Sequence, residues 1–515
     1  MSSVYFIRNL IALIILTGIF FLIFYPLLSS RFILTDDGEW FLIRLTAFYQ
    51  SLAEGQFPVR YLGRLNNSFG YPVANFVYPG YLYIGSVIHV LGFGFIDTMK
   101  IIIGGSLFGT GILFYLYLKK FYDIASSLIG AISFLLSPYI LFDLYKRGSV
   151  GEMLAFFPAI LILYSIENKY RVLLALATCL LVLSHNIIAL LILPSVIAYI
   201  VMDKKIEMLK YMLLGIGMAT FFWFPAIWEK KYVIFDTVAI SRPEKYFISS
   251  IPWIIGGVGY VIALIGRLLI SGSFTKKDKF FSILFVVSLL MATSLSSALW
   301  SVEIFSRIIQ FPYRMLSLTT ISGSFLIASF FHNLRNYRIL IIPVIVLWII
   351  SQRIAANSVI HINRTESYYT TNEATTTVAN EFMPVWVKEK VGPRSAERIQ
   401  IIDGSGKLSV KIATTQSIAA VAYLEDDSTI QINTIYYPGW GVLVDGKSTQ
   451  INYTNKNGLI RFSVPKGNHF IMVEFRETIA RFMADVVSLI FFCFTAFLCF
   501  KSVNRFYTKK ITHEF

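Results

Sequence analysis

The chain has 515 residues, of which 56% are hydrophobic and only 15% charged, with a formal net charge of +15. Soluble domains carry about 25% charged residues, so a single water-soluble core is excluded as the main architecture. The excess Lys and Arg flanks apolar runs rather than forming a basic face, which fits membrane topology and argues against nucleic-acid binding.

The first apolar run, 9–28, is longer than a signal-peptide core and has no small-residue cleavage site after it, so it reads as an uncleaved span. Eleven further runs are predicted to cross, because about 20 residues at 1.5 Å rise traverse the hydrocarbon. They lie at 98–118, 122–143, 153–167, 170–184, 186–203, 209–227, 250–271, 279–297, 315–332, 338–352 and 478–500, giving about twelve spans in all. The block 79–95 is read as half-inserted or interfacial. With that choice Arg8, Lys119, Lys120, Lys169, Arg171, Lys204, Lys205, Lys276, Lys277, Arg335, Arg338, Lys501 and Arg505 all fall on one side. Positive residues mark the cytoplasmic side, so both termini are expected in the cytoplasm and the loop 29–97 outside.

Residues 353–477 differ in composition. Short alternating runs (LSVKIAT, AAVAYLE, TIQINTIYY, GVLVDG, IRFSVP, HFIMVEF) are separated by turn sequences such as DGSG, VDGK and PKGN. This pattern predicts an extracytoplasmic β-rich domain of sandwich or jelly-roll type. The expected organisation is a transmembrane catalytic domain over 1–352, the β-rich domain over 353–477, and a final span with cytoplasmic tail over 478–515. Cys179, Cys493 and Cys499 all lie inside apolar runs, which reads as packing rather than disulfide chemistry.

The unusual polar residues gather on the outer side. Asp36 and Asp37, in TDDGEW, are candidates for a general base, since partial burial raises a carboxylate pKa and sharpens proton abstraction. Thr35 or Asp36 capping a helix, with acids in its first turn, is the competing reading. Arg60 and Arg64 sit in a loop rich in aromatic residues, which suits a lipid head group or a sugar. Lys146, Arg147 and Glu152 in YKRGSVGE face outward, against the positive-inside trend. An anionic ligand explains this, as does an Arg147–Glu152 pair. His185 lies where two spans meet, and Arg314 stands at the mouth of another; ionisable groups at such depth are expensive and often functional. The acids Asp36, Asp37, Glu39 and Glu152 are compatible with a divalent cation, Mg or Mn, but no spacing demands one. There is no P-loop, GxSxG, HExxH or Cys/His cluster, so nucleotide-driven transport and zinc hydrolysis lose support.

The segments TDDGEWFLIRL, EGQFPVR, FGYPVANFVYPG, SPYILFDLYKRGSVGEMLAF, LSHNIIAL, FFWFPAIWE, QFPYRM, EFMPVW and YYPGWGVLVDGK occur in order along nearly the whole chain. Together they resemble the GT-C superfamily of membrane glycosyltransferases, in particular its YfhO-like branch, which includes proteins labelled "6-pyruvoyl-tetrahydropterin synthase-related". The resemblance implies an inverting enzyme that takes a sugar from a polyprenyl-phosphate carrier, such as undecaprenyl phosphate. The acceptor would be an envelope glycan, glycolipid or protein at the outer face of the cell membrane. It implies Asp37 as base with Asp36 beside it, where the family often has His-Asp. It places Arg147, His185 and Arg314 at the carrier phosphate. Two other classes stay open: a transporter or flippase for lipid-linked glycans, which should carry charges mid-span and two similar halves, and a non-catalytic scaffold, which would tolerate loss of Asp37.

Overall fold

The computed structural model describes residues 3–237, 243–248, 251–269, 274–334 and 341–511. The ends of the predicted 250–271 and 338–352 spans, with Arg335 and Arg338, lie outside them.

Every predicted span coincides with helix where the structure describes it, because an apolar run in lipid must satisfy its own backbone hydrogen bonds. Among the described residues, six helical segments are long and apolar enough to cross alone: Val4–Leu28, Phe95–Leu118, Ile124–Arg147, Val150–Asn168, Pro312–Asn333 and Ile479–Lys501. Two bent pairs, Met208–Met218 with Thr220–Tyr232 at 65° and Lys276–Met291 with Ser294–Trp300 at 82°, bring the number to eight if each is one span. The expected twelve therefore includes segments that are helical but short. The helices Arg171–Ser184 and Asn186–Met202 have 14 and 17 residues, so they rise about 21 and 26 Å against about 30 Å of hydrocarbon. Gly80–Val90, inside the block read as half-inserted, has only 11 residues.

One span is interrupted where the chemistry of the sequence demands it. Pro138 lacks an N–H and its ring crowds the preceding turn, so the helix Ile124–Leu135 stops and restarts at Pro138–Phe142. The chain then widens into a π-helical turn, Asp143–Arg147, which ends at Gly148 in the left-handed region with φ of 67°. Such turns often mark functional sites.

The polar C-terminal region is β-rich as expected. Two short strands, β1 (Phe32–Ile33) and β2 (His361–Ile362), pair antiparallel and tie the C-terminal end of the first span to the chain after the 341–357 helix. Eight more follow: β3 (Ile399–Asp403), β4 (Gly406–Ala413), β5 (Ser417–Leu424), β6 (Ser428–Ile435), β7 (Trp440–Val444), β8 (Lys447–Thr449), β9 (Leu459–Val464) and β10 (Gly467–Phe475). They form a five-stranded sheet, β4-β5-β10-β7-β8, and a three-stranded sheet, β3-β6-β9, every pairing antiparallel. Inward residues of both sheets, among them Ile418, Ala420, Ile430, Ile432, Phe462 and Ile471, bury one shared core, which makes the region a sandwich.

This core does not close on itself. Tyr61 and Phe76 of the first loop and Val233 enter it, and the Tyr61 hydroxyl donates to the carbonyls of Phe69 and Ile435. Residues 361–377 instead dress the first loop: Thr46 Oγ1 donates to the Tyr369 carbonyl, Arg44 Nη2 to the Thr376 carbonyl, and Glu366 accepts from the Phe95 and Ile96 amides. Strand structure thus begins near 399, and the stretch before it serves the wall of the site.

Candidate functional site

The site forms where the start of the first loop meets the π-helical turn. The amides of Asp36 and Asp37 donate to the carbonyls of Lys146 and Arg147 at 2.8 and 2.9 Å. Gly148 is required here: a Cβ on it would lie 2.1 Å from Thr35 Oγ1. Thr35 Oγ1 in turn accepts the Gly38 amide at 3.0 Å. Thr35 therefore supplies the oxygen at the start of the helix Gly38–Ala53, and neither aspartate side chain caps it.

The two aspartates then diverge. Asp36 is exposed and pairs with exposed Lys146 at 2.7 Å. Asp37 points inward, with its side chain one-third exposed and Oδ2 3.5 Å from Arg147 Nη2. Its carboxylate takes part in no hydrogen bond among the described residues. Burial pushes its pKa above the ordinary carboxylate value, while the positive charges of Arg147 and Arg44 act in the opposite direction.

Behind Asp37 lies a fully buried hub, Glu152. Its Oε1 accepts from Arg147 Nη1 at 2.6 Å and from Arg314 Nε at 3.2 Å, and its Oε2 accepts from the Tyr139 hydroxyl at 2.5 Å. His185 Nε2 stands 3.5 Å from the same Oε1. His185 Nδ1 accepts the Ile188 amide at 3.2 Å, which leaves the proton of a neutral ring on Nε2, facing Glu152. Tyr78 packs against this imidazole at 4.5 Å. The guanidinium of Arg147 lies 5.0 Å over the Tyr313 ring and that of Arg314 4.8 Å over Phe311, so aromatic faces hold both cations in place.

Three of the sequence-predicted residues, Arg147, His185 and Arg314, thus converge on the carboxylate of a fourth, Glu152, and Arg147 also faces Asp37. Both the competing explanations for Arg147 meet here: it does pair with Glu152, yet it is not saturated. Arg147 uses one N–H, and Arg314 spends Nε on Glu152 and Nη1 on the Ile309 carbonyl and Gln310. Nε and Nη2 of Arg147 and Nη2 of Arg314 donate no hydrogen bond among the described residues. Glu152 sets the two forks side by side and leaves donors for a further anion.

Arg60 and Arg64 are not brought to this site. Arg60 is buried and donates to Glu477, Asp485 and the Phe221 carbonyl, clamping the first loop to the last helix. Arg64 donates to Thr46 and to the carbonyls of Ile43, Tyr369 and Thr370; burial pulls its pKa down to about 10. The partners of Arg60 come from segments far away in sequence, and those of Arg64 from both the first loop and the chain near 370.

The acids do not fit a divalent cation. Among the described residues no three His, Cys, Asp or Glu side chains stand close enough together to hold one. Glu152 faces Arg147 and Arg314, and Asp37 faces Arg147, guanidinium groups whose positive charge repels a metal ion.

Two members of the site were not singled out from sequence. Asp143 is fully buried with Oδ1 3.6 Å from Arg147 Nη1, and neither oxygen takes part in a hydrogen bond among the described residues. Its i,i+4 spacing to Arg147 was a usable signal. Tyr139 carried no signal, since a tyrosine in an apolar run is ordinary.

No family model matches the chain, and no curated protein sequence matches it. Among solved structures it is similar to the arabinofuranosyltransferase AftD from Mycobacteria, with a TM-score of 0.49 and 12% identity over 67% of this chain. The matched part is 26% of AftD, so the chain spans about a quarter of that protein's length. The oligosaccharyltransferase of Archaeoglobus fulgidus, in its apo form, gives a TM-score of 0.46 and 10% identity, over 71% of this chain and 56% of that one. ArnT from Cupriavidus metallidurans, bound to undecaprenyl phosphate, gives 0.32 and 10%, over 61% and 77%.

Proposed function

We propose that this chain is an inverting glycosyltransferase of the GT-C type that uses a polyprenyl-phosphate-linked sugar at the outer face of the membrane. The observation that carries the reading is Asp37, a carboxylate with a raised pKa and no hydrogen bond among the described residues, beside Arg147, which Glu152 joins to Arg314, both arginines keeping N–H groups that donate no hydrogen bond among the described residues.

Each part suits one demand of the reaction. Asp37 accepts the proton of an acceptor hydroxyl as that oxygen attacks the anomeric carbon. The bond from that carbon to the phosphate oxygen breaks, its electron pair stays on the phosphate, and the configuration inverts. The leaving phosphate gains one negative charge. Arg147 and Arg314 meet that charge with donors already oriented by Glu152 and by the rings of Tyr313 and Phe311, so no reorganisation is needed as it develops. His185 supports the hub through Glu152 rather than through the phosphate directly. No metal-dependent step enters. An apolar cavity of about 410 Å³, lined by Tyr139, Tyr260, Val261, Phe285 and Leu316 among others, adjoins the hub at Tyr139 and has room for part of the carrier's hydrocarbon chain.

The test is direct. Membranes with and without this protein are supplied with radiolabelled polyprenyl-phosphate sugars and scored for label moved to envelope material. Transfer that depends on the protein and disappears in Asp37→Asn supports the reading; unchanged transfer without the protein rejects it.

A further inference from the structure

A second cavity, of about 750 Å³, is lined in part by Thr35 and Asp36, the residues just before Asp37. It shares only Pro138 with the apolar cavity beside Tyr139. Part of its lining is polar: Thr35, Asp36, Lys146, Ser351 and Ser358. The rest is apolar, with Leu34, Leu141, Phe142, Ile354 and Ile360. Leu34, Ile354 and Ile360 are 48%, 57% and 62% exposed, so the apolar part opens on a surface of uncovered hydrocarbon rather than on a packed core. Its volume falls in the range of sites that enclose a small ligand.

We infer that this cavity holds the acceptor, and that the acceptor is an amphiphile: a glycan head joined to a hydrocarbon anchor. The inference rests on the glycosyltransferase reading. Three features fix the occupant. The polar lining includes Asp36, the residue next to the base, and the Asp36–Lys146 pair presents both a hydrogen-bond acceptor and donors to sugar hydroxyls. The apolar lining includes exposed Leu34, Ile354 and Ile360, which a soluble glycan or a polar peptide would leave unpaired and a lipid-anchored one would fill. The donor chain has its own place, since the other cavity touches the arginine hub through Tyr139. An acceptor anchored here has its head group beside Asp36, one residue from Asp37.

The test uses the full chain in lipid nanodiscs with two photoactivatable probes, a long-chain alkyl glycoside and a polyprenyl phosphate, each with a diazirine in its hydrocarbon. The glycoside is expected to label 351–360, and the polyprenyl phosphate 257–262 or 285–293. Ala355→Phe, which fills the second cavity, is expected to lower glycoside labelling on the order of tenfold and leave polyprenyl-phosphate labelling unchanged. Polyprenyl-phosphate labelling of 351–360 would overturn the assignment. So would displacement of the glycoside by ordinary phospholipid as readily as by unlabelled glycoside, a comparison that needs only the wild-type chain. The two readings fail differently. No sugar transfer by the wild-type chain rejects the transferase function and the acceptor role with it. Transfer with 351–360 unlabelled rejects the amphiphile site alone.

Discussion

Asp37→Asn is the most informative perturbation, because the structure separates it from its neighbour. Asparagine keeps the size of the side chain and cannot take a proton. A general base contributes about 10²–10⁴-fold, or about 2.7–5.5 kcal/mol of barrier, and Asp37 faces Arg147 with its side chain one-third exposed, whereas Asp143 beside the same guanidinium is fully buried. Asp36→Asn loses only the exposed pair with Lys146, worth about 0–1 kcal/mol, or at most about fivefold. Burial raises the pKa of Asp37, so the folded state bears the carboxylate less easily than the unfolded chain does. Stability is therefore lost as pH rises through that raised value, and Asp37→Asn should melt no lower than wild type at neutral pH while being nearly inactive. The assay is single-turnover transfer from radiolabelled polyprenyl-phosphate sugar in proteoliposomes, with thermal unfolding in parallel. Chelator should leave the wild-type rate unchanged. An Asp37→Asn rate within about tenfold of wild type, or an equal loss in Asp36→Asn, refutes the assignment of the base.

Arg147→Ala should weaken carrier binding by roughly 10- to 150-fold, from a charge-assisted contact of about 1.5–3 kcal/mol, and Arg147→Lys should recover part of it in the same titration. Losing this cation also raises the pKa of Asp37 further, so the acid limb of kcat/KM should move to higher pH. Gly148→Ala puts a Cβ against Thr35 at a φ of 67°; strain of about 1–3 kcal/mol should appear as lowered turnover with carrier affinity retained. Arg481 makes a two-point contact with Glu229, both bonds 2.8 Å, where Asn75 and Tyr437 also meet. Arg481→Ala should cost about 3–5 kcal/mol of stability, seen as an earlier thermal transition in detergent, with an unaltered pH–rate profile for the folded fraction.

The sequence by itself determined the materials. Apolar runs became helices because lipid leaves the backbone no other partner, and LSVKIAT, AAVAYLE, TIQINTIYY, GVLVDG, IRFSVP and HFIMVEF became β4, β5, β6, β7, β9 and β10 because alternation has the period of a strand. Asp37, Arg147, Glu152, His185 and Arg314 stood out because charge near membrane depth is costly and needs a reason. Strand β8 has only three residues, too few to show alternation, and β3, five residues ending in the Asp403 of DGSG, was not read. Tertiary structure decided the partners. Arg314 and Glu152 are 162 positions apart, and nothing local says that they meet or that Arg60 instead finds Glu477 and Asp485. It also decided which helices reach across, since a bend such as the 82° break after Met291 depends on packing against other elements. The different surroundings of Asp36 and Asp37 were decided the same way. Two adjacent, chemically identical side chains differ only in where the backbone aims them, and that direction is set by their amide bonds to the carbonyls of Lys146 and Arg147, more than a hundred residues further along the chain.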